Sequence, residues 1–216
     1  MKAGAIFDMD GLLFDTERLY QETWKEIAAE MGKSLTSEQG LDFTGKAGVQ
    51  LRTAVEKHYQ VDNGQGIVEE CAQRVHRKLE KGMPEKPGIH EILAYFRDGG
   101  VKLAVASSSM KEVIVNNIRA AGIEEYFDVV LSGFEVSCGK PAPDVFLCAA
   151  ERLKLDPKEC YVFEDSFSGV EAGFAAGCTT IMIPDILQPT AEIDKLYAAK
   201  YSSLLGALDA IKAGEI

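Results

Sequence analysis

The run Ile6-Phe7-Asp8-Met9-Asp10-Gly11 sets two carboxylates at the end of a short apolar stretch near the start of a 216-residue chain. A charge at the end of a buried strand is costly unless a ligand, a cation or a chemical role compensates for it. Residues two apart on an extended chain share a side and lie about 6 to 7 Å apart. Two acids so placed can face one ligand in different roles. An Asp-x-Asp on its own also fits the N-cap of a helix or loop, so the rest of the chain has to decide.

Three further polar clusters follow strand-like runs. Ala106-Ser107-Ser108-Ser109 offers hydroxyls and backbone amides ahead of a helix beginning near Met110, which suits a phosphate. In Ser137-Cys138-Gly139-Lys140-Pro141-Ala142-Pro143-Asp144, a lysine sits between a glycine and two prolines that restrict the backbone. A lysine held that way is suited to neutralising phosphoryl charge. Val162-Phe163-Glu164-Asp165-Ser166 delivers adjacent acids, the hard oxygen donors that Mg²⁺ takes. A capping run, a solvated lysine and an acidic turn would each explain one cluster. They do not share an explanation for four at four strand ends.

The elements that must position these residues can be read from the pattern. Short β-branched apolar runs bounded by turn residues predict buried strands over 3–8, 101–107, 128–132, 160–164 and 179–183. Amphipathic stretches at 89–97, 111–121, 144–153 and 169–176 lie between most of them, several closed by glycine. That alternation predicts an α/β fold with a parallel sheet and helices on both faces. Ligands of such sheets bind beyond the carboxyl ends of the strands, where the four clusters fall. From about 16 to 86 the pattern is helical throughout, with candidates at 17–31, 48–58 and 68–81, and reads as an inserted helical domain. The two prolines and two glycines of residues 82–88 make a return hinge.

Composition excludes some classes. The net charge of −11 disfavours a broad nucleic-acid or anionic-membrane surface, which needs a dominant cationic field. It leaves room for an anionic substrate, because a bound divalent cation and one or two lysines reverse the potential locally. The five cysteines are widely spaced without a Cys-x-x-Cys pair, as reduced thiols would be. Asp8 and Asp10 interrupt the first apolar run before it could form a signal-peptide core, and no apolar stretch reaches a membrane span, so a cytoplasmic protein is expected. His58, His76 and His90 show no spacing that would make a zinc site or a triad. Gly-x-Gly-x-x-Gly is missing after the strands, and Gly45-Lys46 does not make a P-loop.

Taken together, Asp8-Met9-Asp10-Gly11, Ser107, Lys140 and Glu164-Asp165 match in order the four motifs of the haloacid dehalogenase-like superfamily, which the sequence strongly resembles. Phe7 through Glu17, Gly139 through Asp144 and Glu164 through Val170 extend the resemblance toward the subgroup of β-phosphoglucomutase and many sugar or nucleotide phosphatases. The resemblance implies a Rossmann-like doubly wound core over 1–15 and 87–216, with an α-helical cap domain over 16–86 and the active site between them. Asp8 would be the nucleophile that forms an aspartyl-phosphate, and Asp10 the acid and then the base. Ser107 and Lys140 would hold the transferring oxygens. Mg²⁺ would be ligated by Asp8, the Asp10 carbonyl and Asp165, with Glu164 direct or through water. Gly11 to Leu13 would form a mobile segment linked to cap closure. Further candidates for substrate or phosphate contact are Gly11, Ser108, Ser109, Lys111, Gly45 and Lys46.

A Mg²⁺-dependent phosphatase acting on a small phosphorylated metabolite, as a monomer or weak dimer, is therefore expected. A β-phosphoglucomutase-type mutase is the alternative. Against it, an ungapped count puts Tyr20, Gly48 and Met110 where the mutases carry a histidine, an arginine and a lysine, although Arg18, Lys46, Arg52 or Lys111 could substitute. A phosphoacceptor receiver would carry its aspartate on a later strand and no helical insertion. A dehalogenase would lack Asp10. A phosphonatase would need a cap lysine forming a Schiff base, for which Lys46 and Lys57 are candidates.

Overall fold

The computed structural model describes residues 1–216 except 45, 47, 80 and 81. Among the described residues, six parallel strands form one sheet. They are Gly4–Phe7 (β1), Lys102–Ser107 (β2), Val129–Ser132 (β3), Cys160–Glu164 (β4), Thr179–Met182 (β5) and Ala199–Lys200 (β6). Their order is β3-β2-β1-β4-β5-β6. The chain winds outward from β1 to β3, then returns to the far side of β1 and winds the other way. That reversal makes the carboxyl ends of β1 and β4 a topological switch point, the place where open α/β sheets bind ligands.

Two-residue alternation sends each strand's side chains to two different cores. Ile6, Ala104, Ala106 and Val162 pack with Val145, Phe146, Ala149 and Leu153 of helix Asp144–Leu153 (α7 in chain order). Phe7 and Phe163 point to the other face, where they stack at 4.7 Å and meet Phe96 of helix Ile89–Asp98 (α5). Both faces are covered, which is why the inner strands read as continuous apolar runs. Helices Lys111–Ala120 (α6), Phe167–Ala175 (α8) and Leu204–Ala213 (α9) complete this core.

The chain divides into two compact units: 1–14 with 85–216, and 15–84. The second contains helices Thr16–Glu30 (α1), Ser37–Leu41 (α2), Gly48–Tyr59 (α3) and Gln65–Leu79 (α4). It has its own core of Trp24, Ile27, Phe43, Val55, Tyr59, Cys71 and Val75. Inside that core the Tyr59 hydroxyl donates to the Trp24 carbonyl at 2.5 Å, which satisfies a buried phenol.

Three elements go beyond the sequence pattern. The strand Ala199–Lys200 is two residues long and half-exposed, too short to show a period. Helix α2 has five residues and is held by a capping box of Thr36 and Gln39. Helix α9 starts at a Ser203 cap that accepts from the Gly206 amide. Helix α8 starts at Phe167, two residues before the expected position, because the Ser166 hydroxyl caps it by accepting from the Gly169 amide at 3.1 Å. No helix among the described residues is long and apolar enough to cross a membrane.

Candidate active site

Asp8 is the residue after β1, and its amide still donates to the Phe163 carbonyl at 3.0 Å. The ladder therefore fixes its backbone at the switch point, with only 6% of the residue exposed. Burial pushes its carboxyl up to about 7; the adjacent Lys140 ammonium opposes the rise, and the Glu164 and Asp10 carboxylates add to it. An acid so placed needs positive charge beside it.

Lys140 supplies one such charge. Its ammonium, 5% exposed, hydrogen-bonds Asp8 Oδ1, donates to Glu164 Oε1 at 2.6 Å and reaches the Ala106 carbonyl at 3.3 Å. It also lies 4.9 Å from the centre of the Phe146 ring. Burial opposes its charge, but the two carboxylates outweigh burial and hold it above the ordinary lysine range.

Glu164 is fully buried, and local chemistry holds it in place. Its Oε2 accepts from the Asp165 amide at 3.0 Å and from both the amide and the hydroxyl of Ser166 at 2.9 Å. That leaves Oε1 for Lys140. A Cβ added to Gly169 would lie 1.7 Å from Glu164 Oε1, so only glycine fits at the start of α8 beneath this carboxylate. Gly11, at φ +86°, is constrained in the same way: a Cβ there would meet Asp165 Oδ2 at 2.3 Å.

One oxygen from each of Asp8, Glu164 and Asp165 lies within 4.8 Å of the others. Three hard oxygen donors at that spacing fit a small divalent cation such as Mg²⁺. The Asp10 carboxylate is outside this set. Its Oδ2 accepts from Ser109 Oγ at 2.9 Å and from Ser107 Oγ at 3.3 Å, while the Ser109 amide donates to Ser107 Oγ at 3.0 Å. Ser108 is exposed beside them. The first motif thus separates its two acids, one toward Lys140 and one toward the serines.

Two further candidates have carboxylate partners. Lys111 donates to the Val130 carbonyl at 2.8 Å and pairs with Glu135 at 3.1 Å. Lys46 pairs with Asp42, which also accepts from His58 Nε2 at 2.7 Å. Gly45 lies outside the described residues. Sequence reasoning did not single out Ser166 and Gly169 individually, although the spacing Ser-x-x-Gly after two acids is a cap signal that could have found them.

Comparison with known proteins settles the family. Residues 5–183, a span that takes in all four polar clusters, match the family model of haloacid dehalogenase-like hydrolases. The chain belongs to this family. A phosphorylated carbohydrates phosphatase of Thermotoga maritima is 38% identical over 180 residues, covering 82% of each chain. Hexitol phosphatase B of Escherichia coli K12 is 31% identical over 208 residues, covering 93% of this chain and 91% of that one. Among solved structures, a Thermotoga maritima protein provisionally assigned as a β-phosphoglucomutase superposes with a TM-score of 0.82 at 30% identity, covering 99% of both chains. Haloacid dehalogenase-like hydrolases share the Rossmann-like parallel sheet described above, and the enzyme is one of them.

Proposed function

We propose that this hydrolase is a Mg²⁺-dependent phosphatase that removes the phosphoryl group from a small phosphomonoester, with a sugar phosphate as the first substrate class to test and nucleotides as the second. One observation carries the reading: Asp8, at the switch point, is gripped by Lys140 and has Glu164 and Asp165 oxygens within 4.8 Å. The relatives named for carbohydrate and hexitol phosphates support the substrate class.

In this mechanism an Asp8 carboxylate oxygen attacks phosphorus, and the ester oxygen leaves with a proton from Asp10. The product alcohol departs and phosphorus stays on Asp8. Asp10, now a carboxylate, takes a proton from water as that water attacks phosphorus, and phosphate and free Asp8 result. Lys140 and Ser107 hold the transferring oxygens, and Ser109 keeps Asp10 facing them. Mg²⁺, held by Asp8 and Asp165 with Glu164 direct or through water, would neutralise the phosphoryl oxygens when bound. Lys46 is kept as a candidate for substrate contact.

The mutase reading calls for a cationic grip on a second phosphate. Lys111, Arg18 and Lys46 are instead paired with Glu135, Asp15 and Asp42. The test is phosphate release from a panel of sugar phosphates and nucleotides, with Mg²⁺ and with chelator. Release is expected only with metal and only when Asp8 is intact. Metal-dependent release by Asp8→Asn would overturn the assigned nucleophile, and isomerisation without release would transfer the enzyme to the mutases.

A further inference from the structure

The chain leaves the α/β unit after Phe14 and re-enters it at Glu85. At the re-entry, Lys86 forms a buried ion pair with Asp185, just past β5, at 2.5 Å, with side chains 19% and 6% exposed. The two residues are 99 positions apart. Asp185 Oδ2 is buried and has no hydrogen-bond partner among the described residues. A buried ion pair is weak evidence for a stability role, since well-packed apolar residues would serve as well or better. Its value has to lie in what it positions.

Hydrogen bonds connect this pair to the site on both sides. The Lys86 amide donates to the Leu13 carbonyl at 2.9 Å, and Glu85 bridges to Phe14. Phe14 in turn bridges to Asp10, and its carbonyl accepts from the Gly11 amide at 2.8 Å. On the other side, Asp185 lies two residues beyond Ile183, whose amide donates to the Glu164 carbonyl at 2.7 Å. The ion pair therefore closes a ring from the end of β1, through Asp10 to Phe14 and Lys86, to the ends of β5 and β4.

We propose that Lys86 and Asp185 are positioning residues for Asp10: their ion pair holds the 10–14 turn in the register that keeps the Asp10 carboxyl at the leaving oxygen. The inference rests on the role of Asp10 under the proposed function. A displacement of about 1 Å in a catalytic group can cost about a hundredfold, and a general acid supplies about a hundredfold to ten-thousandfold. Loosening the turn should therefore remove part of the acid's contribution and leave the nucleophile's intact.

The test compares p-nitrophenyl phosphate, whose leaving group needs no proton, with the alkyl or sugar phosphate that the wild-type enzyme hydrolyses best. Lys86→Met with Asp185→Leu removes both buried charges together, so the variant should remain folded. It should lose about tenfold or more in kcat on the alkyl ester and less than about threefold on the aryl ester, as a partial loss of acid catalysis predicts. Should that variant not fold, the near-isosteric Asp185→Asn is expected to shift the same ratio in the same direction. An unchanged ratio, or equal losses on both esters, in a folded variant would overturn the proposal. Asp10→Asn measured alongside separates the two levels. If Asp10→Asn shows no leaving-group dependence, the acid role itself fails; if it does and the ion-pair variants do not, only the present inference fails.

Discussion

At the residue scale, the site holds two carboxylates on one buried ammonium and turns a third toward serine hydroxyls. Asp8 and Glu164 share the buried Lys140 ammonium, Asp10 faces two serine hydroxyls, and the other Glu164 oxygen is held by the Asp165 and Ser166 donors. Asp8 is the expensive member, because burial raises its carboxyl to about 7 from 3.8. The consequence for stability has a definite sign. With its folded pKa above the unfolded one, Asp8 costs nothing below about pH 4, and the cost of ionising it grows up to about pH 7 and then levels off. In chelator, Asp8→Asn should therefore be more stable than wild type above pH 7, by on the order of a few kcal/mol, and equal to it near pH 4. Denaturant melts at the two pH values check this; an advantage that grew toward acid would contradict the assigned cause. The residue proposed as the nucleophile would then be the one the fold would rather lose.

At the element scale, the first turn of α8 both caps a helix and positions a carboxylate. Ser166 Oγ accepts from the Gly169 amide while donating to Glu164, and Gly169 leaves no room for a side chain. Gly169→Ala would gain helix propensity in any exposed helix. Here its methyl would displace Glu164, and through Glu164 the lysine that steadies Asp8. Phosphatase activity is expected to fall by about a hundredfold, the scale of a 1 Å misplacement, while far-UV circular dichroism is unchanged. Activity within a factor of two would show that Glu164 has room to yield. How much of this was legible follows the same logic. The strands that carry Asp8, Ser107 and Glu164 were readable because burial on both faces forces unbroken apolar runs, and the acids interrupt those runs at their ends. The strand at Ala199 and the helix at Ser37 are short and set by contacts or a cap, so no period announces them. The Lys86–Asp185 pair was invisible for a related reason: its members are 99 residues apart and only the sheet order brings them together.

At the scale of the whole molecule, each of the two units has its own core, and the single tryptophan belongs to only one of them. Trp24 packs against Phe43 at 5.1 Å and against Tyr59 at 6.4 Å, and Tyr59 donates to its carbonyl. Its fluorescence therefore reports the 15–84 unit, whereas circular dichroism reports both. A chain whose units unfold together gives one transition by both probes, and a chain whose units unfold separately does not. Separate transitions are expected: the helical unit has 70 residues in sequence and a small aromatic core, and a domain of that size is marginal on its own. Tyr59→Phe should remove about 1 kcal/mol by deleting one buried hydrogen bond. It should shift the fluorescence midpoint in urea to lower concentration while the later part of the dichroism curve, owned by the α/β unit, stays in place. If both curves moved together, the two cores would be one cooperative system. Loss of the aromatic core around Trp24 would then melt the parallel sheet in the same step.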